Sequence, residues 1–498
     1  MARTLVVWGC SSGAGKSWLT TALCRAARRR GIDVVPFKAQ NMSNNARVVP
    51  GLDGGHGEIG SAQYLQALAA GVAPGVDHNP VLLKPERDTA SQVVLHGRVD
   101  AALSRLPWRE RSGQLAQAAR ASFERLAARH ELIVVEGAGS PAEINLAADD
   151  YVNLGVARWA REHGPAQALL VANIDLGGAF AHLHGTHQLL PDDLRPLLAG
   201  HVLNMFRGDP ALLAPAPQQL HALTGVPVLA VIPRVADHGL PEEDGWLGPA
   251  GADAGGPGRI VAVLAPPRIS NLDEFAPLAR LRGWRLVWAR RPADLHDAAL
   301  IVLPGSKQVS GDLAWLRVQG LDAAVAERAA AGTAVLGICG GLQMLGERLD
   351  DPAGVDGQPG SMPGLGLLPL ATRYEGDKRV RPARLRFGAL AGPWQALSGL
   401  EAGGYEIHHG VTAPPPGMPG PAVALRDEAA NAIGWQAGRV LGVYAHGLFE
   451  SPAVQRALFG AAVPGLEPTF ERLADIVEAG FDDSAALDRL LGRPGSRR

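Results

Sequence analysis

The chain has 498 residues, 47% of them hydrophobic and 19% charged, too long for one ordinary core and too apolar for disorder to dominate, so two domains of roughly 200 residues or more are expected. Lysine plus arginine (47) nearly balances aspartate plus glutamate (49), and a net charge of -2 gives no ground for general affinity to nucleic acid or an anionic membrane; small molecules are the expected partners. Three scattered cysteines, Cys10, Cys24 and Cys339, form no C-x-x-C pair, which argues against a disulfide framework or structural zinc. No apolar run reaches the roughly 18 residues a membrane helix needs, and the start reads as a buried strand with no export segment. A cytoplasmic protein is expected.

The first half alternates short apolar runs with helix-like segments: TLVVWG, DVVPFK, LIVVEG, ALLVANID, HVLNMF and VPVLAVIP. This order predicts parallel strands joined by crossover helices, hence a doubly wound, mostly parallel α/β sheet over 1–240. PEEDGWLGPAGADAGGPG, at 241–258, reads as a linker. A second α/β pattern then fills 259–498 with RIVAVLAPP, WRLVWA, ALIVLPG and TAVLGICGG, and an irregular β-rich insertion is expected over about 354–434.

Directly after the first strand comes GCSSGAGKS. The common phosphate-loop spacing requires a glycine at position 10, where this chain has Cys10 and carries the glycine at Gly9. Gly13 and Gly15 allow backbone amides to turn toward an anion, Lys16 supplies a charge for the outer phosphates, and Ser17 can hold magnesium. The spacing resembles the loop of dethiobiotin synthetase and related amidoligases. It lacks the early lysine of partitioning ATPases, which disfavours a switch protein.

Glu136 ends a buried strand, where a carboxylate is expensive unless it meets a cation such as magnesium. Lys38 follows a strand at the ligand-bearing end of the same sheet and could neutralise an acyl phosphate. The three histidines of HLHGTH have no acidic partner at ligand spacing and are not read as a metal site.

In LGICGGLQMLG, Cys339 lies between a buried strand and a helix in the pattern G-x-C-x-G, the thiol form of a nucleophile turn. Such a nucleophile needs a base and oxyanion donors. His446 in GVYAHGLF is the best base, and the amide of Gly340 with one from the turn near Gly305 could serve as donors.

Together PFKAQNMSNN, GGHGEIGSAQYLQALAAGV, EGAGSPAEINL, LNMFRGDP, RISNLDEFAPL, LPGSKQVSGDLAWL, GICGGLQMLG, GYEIHHG and GVYAHGLF resemble the cobyric acid synthase family, the glutamine-dependent amidases of cobalamin biosynthesis. The resemblance implies an ATP- and magnesium-using carbon–nitrogen ligase with a class I glutamine amidotransferase-like second domain. It implies amidation of the b, d, e and g carboxylates of adenosylcobyrinic acid a,c-diamide, with glutamine as the nitrogen donor. By the same resemblance Glu58 joins Glu136 as a magnesium candidate, and Asn204 is placed near adenine. Cys339 and His446 fall where triad-type amidotransferases keep their catalytic pair.

The chain departs from the family pattern at several points. Ser61, Ala147 and Leu176 stand where arginines are expected, and Asn173 where aspartate is commoner. Lys84, Arg87 or Arg207 are the candidates to replace those arginines. Leu448 stands where many triads have their acid, so the third member is absent or supplied elsewhere, with Glu406 and His408 as candidate orienting groups. The rivals are the related cobyrinate a,c-diamide synthase and a phosphate-loop switch ATPase with a non-catalytic second domain.

Overall fold

The computed structural model describes residues 1–87, 90–235, 238–241 and 258–492. Six strands, Arg3–Gly9, Val34–Phe37, Leu132–Glu136, Ala166–Asn173, Leu198–Phe206 and Val228–Pro233, build one sheet in which every neighbouring pair is parallel. They are the six apolar runs expected from the sequence. Leu132–Glu136 is buried throughout, as a strand covered by helices on both faces must be. Arg3–Gly9 sits near the sheet centre between Leu132–Glu136 and Ala166–Asn173, so the loop that follows opens at the carboxyl ends of the strands.

A second sheet has nine strands. Its parallel part runs through Trp284–Ala289, Arg259–Leu264, Ala298–Leu303, Ala334–Ile338 and Val440–Val443. Strands Ala432–Ala437, Ala422–Arg426, Arg379–Phe387 and Glu401–His408 continue it antiparallel. The segment expected to form an irregular insertion therefore divides: these four strands extend the main sheet, while Gly360–Pro363, Ala371–Arg373 and Val411–Ala413 join Arg348–Asp351 in a separate four-stranded sheet. Its short runs alternate buried and exposed positions, as in Arg379–Phe387, which fits a sheet extension with one covered face.

Other features escaped the sequence reading. Short strands between residues 40 and 99 form two small sheets outside the main one, and the hairpin Ala46–Pro50 with His56–Gly60 packs on strand Arg379–Phe387 of the second half. The expected linker, 241–258, lies outside the described residues except for Pro241 and Gly258. The last helices, Leu466–Gly480 and Ser484–Leu491, fall within the segment 259–498 but return to the first sheet. Leu473, Val477 and Leu487 share a buried cluster with Leu5, Leu19 and Leu23. Charge reinforces the return. Arg25 meets Glu471 at 2.7 Å, Arg30 meets Glu478 at 2.6 Å and Asp488 at 2.7 Å, all from helix Lys16–Arg29 or its C-cap.

Candidate functional sites

The displaced glycine of the phosphate loop has a steric reason. A Cβ at Gly9 would lie 2.9 Å from the Lys16 Nζ, which folds back over the loop to the carbonyl oxygens of Ser11 and Gly139, each at 3.0 Å. Cys10 extends the strand by one residue, its amide donating to the Val171 oxygen at 2.9 Å. Burial pushes the Cys10 thiol up to about 11, so it is a packing group and not a reactive thiolate. Gly15 has φ +88°, and a Cβ there would sit 2.1 Å from Asn204 Nδ2. Asn204 in turn donates to the Ala14 oxygen at 2.9 Å and is buried. Asn204 thus braces the loop from behind, and the neighbouring Met205 lines the cavity above.

That cavity, of ≈ 420 Å³, is lined by Gly13, Lys16, Ser17, Lys38 and Glu136 among others. Glu136 accepts from Ser17 Oγ and Lys38 Nζ, each at 2.7 Å, and from Gln66 Nε2 at 2.5 Å. Burial alone would raise this carboxyl, but the Lys38 charge and these hydrogen bonds hold it below the usual range. An ionised carboxylate beside a serine hydroxyl at the mouth of a phosphate loop is a donor set that fits magnesium. Lys38 therefore does stand with Glu136 and the loop, though the two segments are far apart in the chain.

Glu58 belongs elsewhere. It is fully buried between the ammonium groups of Lys84 and Lys378. Burial opposes its ionisation, yet the two lysines bring it down to about 2. Burial, aided by the neighbouring Lys378 charge, drags Lys84 down to about 7 although Glu58 opposes the shift. In this arrangement each Glu58 oxygen is engaged by a lysine. Lys84 is likewise committed, and it lines the thiol cavity described next, not the phosphate cavity. Arg207 pairs with Asp175. The Arg87 side chain lies outside the described residues.

The second site is built on the turn at Cys339. This residue follows strand Ala334–Ile338 and caps helix Gly340–Leu345 with φ 53° and ψ -108°, a conformation costly for any residue but glycine. The turn closes only because its flanks have no side chains: a Cβ at Gly337 would lie 2.5 Å from Leu345, and one at Gly341 2.0 Å from the Leu303 oxygen. The sulfur lies 3.6 Å from the Ile407 oxygen and faces a cavity of ≈ 220 Å³. Lys84, Glu86 and Gln92 from the first half share its walls with Lys307, Gln343 and Tyr374 from the second.

His446 is buried, and the Cys339 sulfur stands near enough to act electrostatically on its imidazole. Its Nδ1 lies 3.0 Å from Glu274 Oε1, and the second oxygen of Glu274 accepts from the Gly447 amide at 3.0 Å. Burial by itself would lower the imidazole, but the Glu274 carboxylate and the Cys339 sulfur raise it to about 10. Cys339, His446 and Glu274 thus form a nucleophile, base and orienting acid in series. Glu406 and His408 do not serve His446: they pair with each other at 3.2 Å, and Arg381 holds the other oxygen of Glu406 at 2.8 Å.

Glu274 was missed because it lies upstream of the nucleophile, in RISNLDEFAPL, far from any H-x-E pattern. The one local signal was a carboxylate directly before Phe275 in a segment that folds as a buried 3-10 turn. On the other side of the thiol, a Cβ at Gly340 would lie 2.9 Å from the Ser306 nitrogen, and one at Gly305 2.9 Å from His446 Cε1. The Gly340 backbone and the 305–306 turn therefore pack against each other, and Ser306 shares the cavity wall with Cys339. The Ser270 amide fixes that turn by donating to the Gly305 oxygen at 2.9 Å.

Two family models match the chain: a CobQ/CobB/MinD/ParA nucleotide binding domain over residues 5–244 and a CobB/CobQ-like glutamine amidotransferase domain over 260–454. The cobyric acid synthase of Leptothrix cholodnii is 59% identical over 96% of this chain and 95% of its own. That of Methylibium petroleiphilum is also 59% identical, over 98% and 97%, and that of Paracidovorax citrulli 58%, over 99% and 100%. Among solved structures, a glutamine amidotransferase matches 43% of this chain and 98% of its own at 21% identity, with a TM-score of 0.30.

Proposed function

The chain belongs to the cobyric acid synthase family, and on that premise we propose that it amidates the b, d, e and g carboxylates of adenosylcobyrinic acid a,c-diamide, using ATP and glutamine. The observation that carries the reading is the presence in one chain of a buried Cys339–His446–Glu274 series and a phosphate loop whose Ser17, Lys38 and Glu136 meet.

At the thiol site, the Cys339 sulfur adds to the side-chain amide carbon of glutamine. His446, held by Glu274, carries the proton to the departing nitrogen, and ammonia leaves. Water then attacks the thioester with His446 as base and releases glutamate. The amide of Gly340, with one from the 305–306 turn, would steady the oxyanion in both steps.

At the phosphate site, Gly13, Gly15 and Lys16 would grip the ATP phosphates while a corrinoid carboxylate attacks the γ-phosphorus. Lys38, which stands beside Glu136 and lines the same cavity as the loop, would balance the charge of the acyl phosphate. Magnesium, which Ser17 and Glu136 would hold, supplies further charge stabilisation at the phosphates. Ammonia displaces phosphate from the activated carboxyl and leaves the amide. The division into an ATP-using part, 1–240, and an amidotransferase part from 259 is proposed with the segment 466–491 counted in the first.

Mass spectrometry of the corrinoid after incubation with ATP, magnesium and glutamine tests the reading. Four carboxylate-to-amide increments are expected. Two would favour the chemistry of a cobyrinate a,c-diamide synthase, and none, with ATP hydrolysed, would favour a switch ATPase.

A further inference from the structure

The segment that delivers Glu274 to His446 is held in place by the other half of the chain. Asn271, at φ 53°, opens the 3-10 turn Leu272–Phe275. Its side-chain oxygen accepts from the Ala46 amide at 3.0 Å, and the Leu272 amide donates to Asn45 Oδ1 at 2.8 Å. One residue further on, Arg47 is buried and directs Nε to Asp273 Oδ2 at 3.0 Å; its terminal nitrogens pair with Asp273 and, at 2.5 Å, with Glu450. Asp273 is the residue directly before Glu274.

Arg47 also reaches the imidazole through an aromatic ring. Its guanidinium stands 5.2 Å over the Tyr405 ring, and Tyr405 stacks on His446 at 5.4 Å with 20° between the planes. The backbones of Tyr405 and His446 are bridged as well, the His446 amide donating to Tyr405 at 2.9 Å. A single cation from the hairpin strand Ala46–Pro50 thus fixes both the acid behind the base and the ring against it. A buried guanidinium engaged by two carboxylates and an aromatic face has little freedom to adjust, so its geometry is transmitted to the neighbours.

Within the functional reading above, we infer that Arg47 is a positioning residue of the glutamine site, contributed by the ATP-using half, which sets the Glu274–His446 geometry through Asp273 and Tyr405. The thiol centre is incomplete without the first domain. Arg47 touches neither glutamine nor the sulfur; it acts through groups that do or that orient them.

The test compares full-length wild type, Arg47→Met, Arg47→Lys and Asp273→Asn in the presence of ATP, magnesium and corrinoid. Glutamate release from glutamine and amidation driven by added ammonium chloride are measured on the same preparations. Arg47→Met is expected to lower kcat for glutamate release by about tenfold to a hundredfold with KM for glutamine within about twofold, since small misplacements of a catalytic group cost rates of this order. Ammonium-driven amidation stays within about twofold, which also reports that the chain is folded. Arg47→Lys recovers part of the loss, and Asp273→Asn reproduces its direction without changing side-chain size. Wild-type glutamate release from Arg47→Met, or a parallel loss of both activities in Arg47→Met and Asp273→Asn, overturns the inference. A wild type that releases no glutamate overturns the functional reading itself, and the inference with it.

Discussion

Glu274 Oε1 lies 3.0 Å from His446 Nδ1 although 172 residues separate the two in the chain, and both side chains are buried. The carboxylate comes from the turn after the first strand of the second sheet and the imidazole from the end of the strand Val440–Val443. Replacing Glu274 by glutamine keeps the shape but removes the charge that holds the ring. Glutamine-driven amidation is expected to fall on the order of 10² to 10⁴-fold, as when the acid of a serine triad is neutralised. Ammonium-driven amidation should be untouched, and steady-state rates with the two nitrogen sources check this.

The same pair has a pH signature. His446 is raised in the fold to about 10, above its ordinary 6.5, so its contribution to stability is full below about pH 6.5 and is lost as pH rises through about 10. Thermal melts between pH 6 and 10.5 should therefore show an alkaline loss of stability that Glu274→Gln flattens. An identical slope in both proteins would refute the assignment.

Substitution should separate the two chemistries. Cys339→Ala is expected to abolish glutamate release and leave ammonium-driven amidation, whereas Lys16→Ala abolishes amidation from either source, because Lys16 folds over the phosphate loop itself. Product analysis with each nitrogen donor reads the difference.

Gly15→Ala introduces a Cβ 2.1 Å from Asn204 Nδ2 at a backbone φ of +88°. Backbone strain of this kind costs on the order of 1–3 kcal/mol before the clash is counted. Nucleotide affinity measured by calorimetry should drop at least about tenfold, the equivalent of the lower half of that range. Asn204→Ala, which removes only the brace to Ala14, should cost less.

The C-terminal helices make a prediction of their own. Leu473 is fully buried in the cluster that contains Leu19 and Leu23 of the phosphate-loop helix. Leu473→Ala is expected to destabilise the ATP-using part by about 2–5 kcal/mol, read by denaturant unfolding. Nucleotide affinity should weaken with it, while an equivalent cavity in the second sheet would leave that affinity alone.

Much of this protein was legible in one dimension because the relevant constraints are local. The six strands of the first sheet are continuous apolar runs, since strands buried on both faces tolerate little else. The phosphate loop and the Cys339 turn were readable because each requires glycine within a few residues of a reactive side chain. Even the shifted Gly9 was visible, though its reason, the folded-back Lys16, was not.

What only the tertiary structure decided are the partnerships of buried charge. A carboxylate in the sequence looks the same whether it will meet magnesium, two lysines or an imidazole. Glu136 met Ser17 and Lys38, Glu58 met Lys84 and Lys378, and Glu274 met His446, and in each case the partner lies on a distant segment brought close by sheet order and domain docking. The return of Leu466–Leu491 to the first sheet belongs to the same class. Amphipathic helices declare that they need an apolar surface, but the chain does not encode locally which surface will cover them.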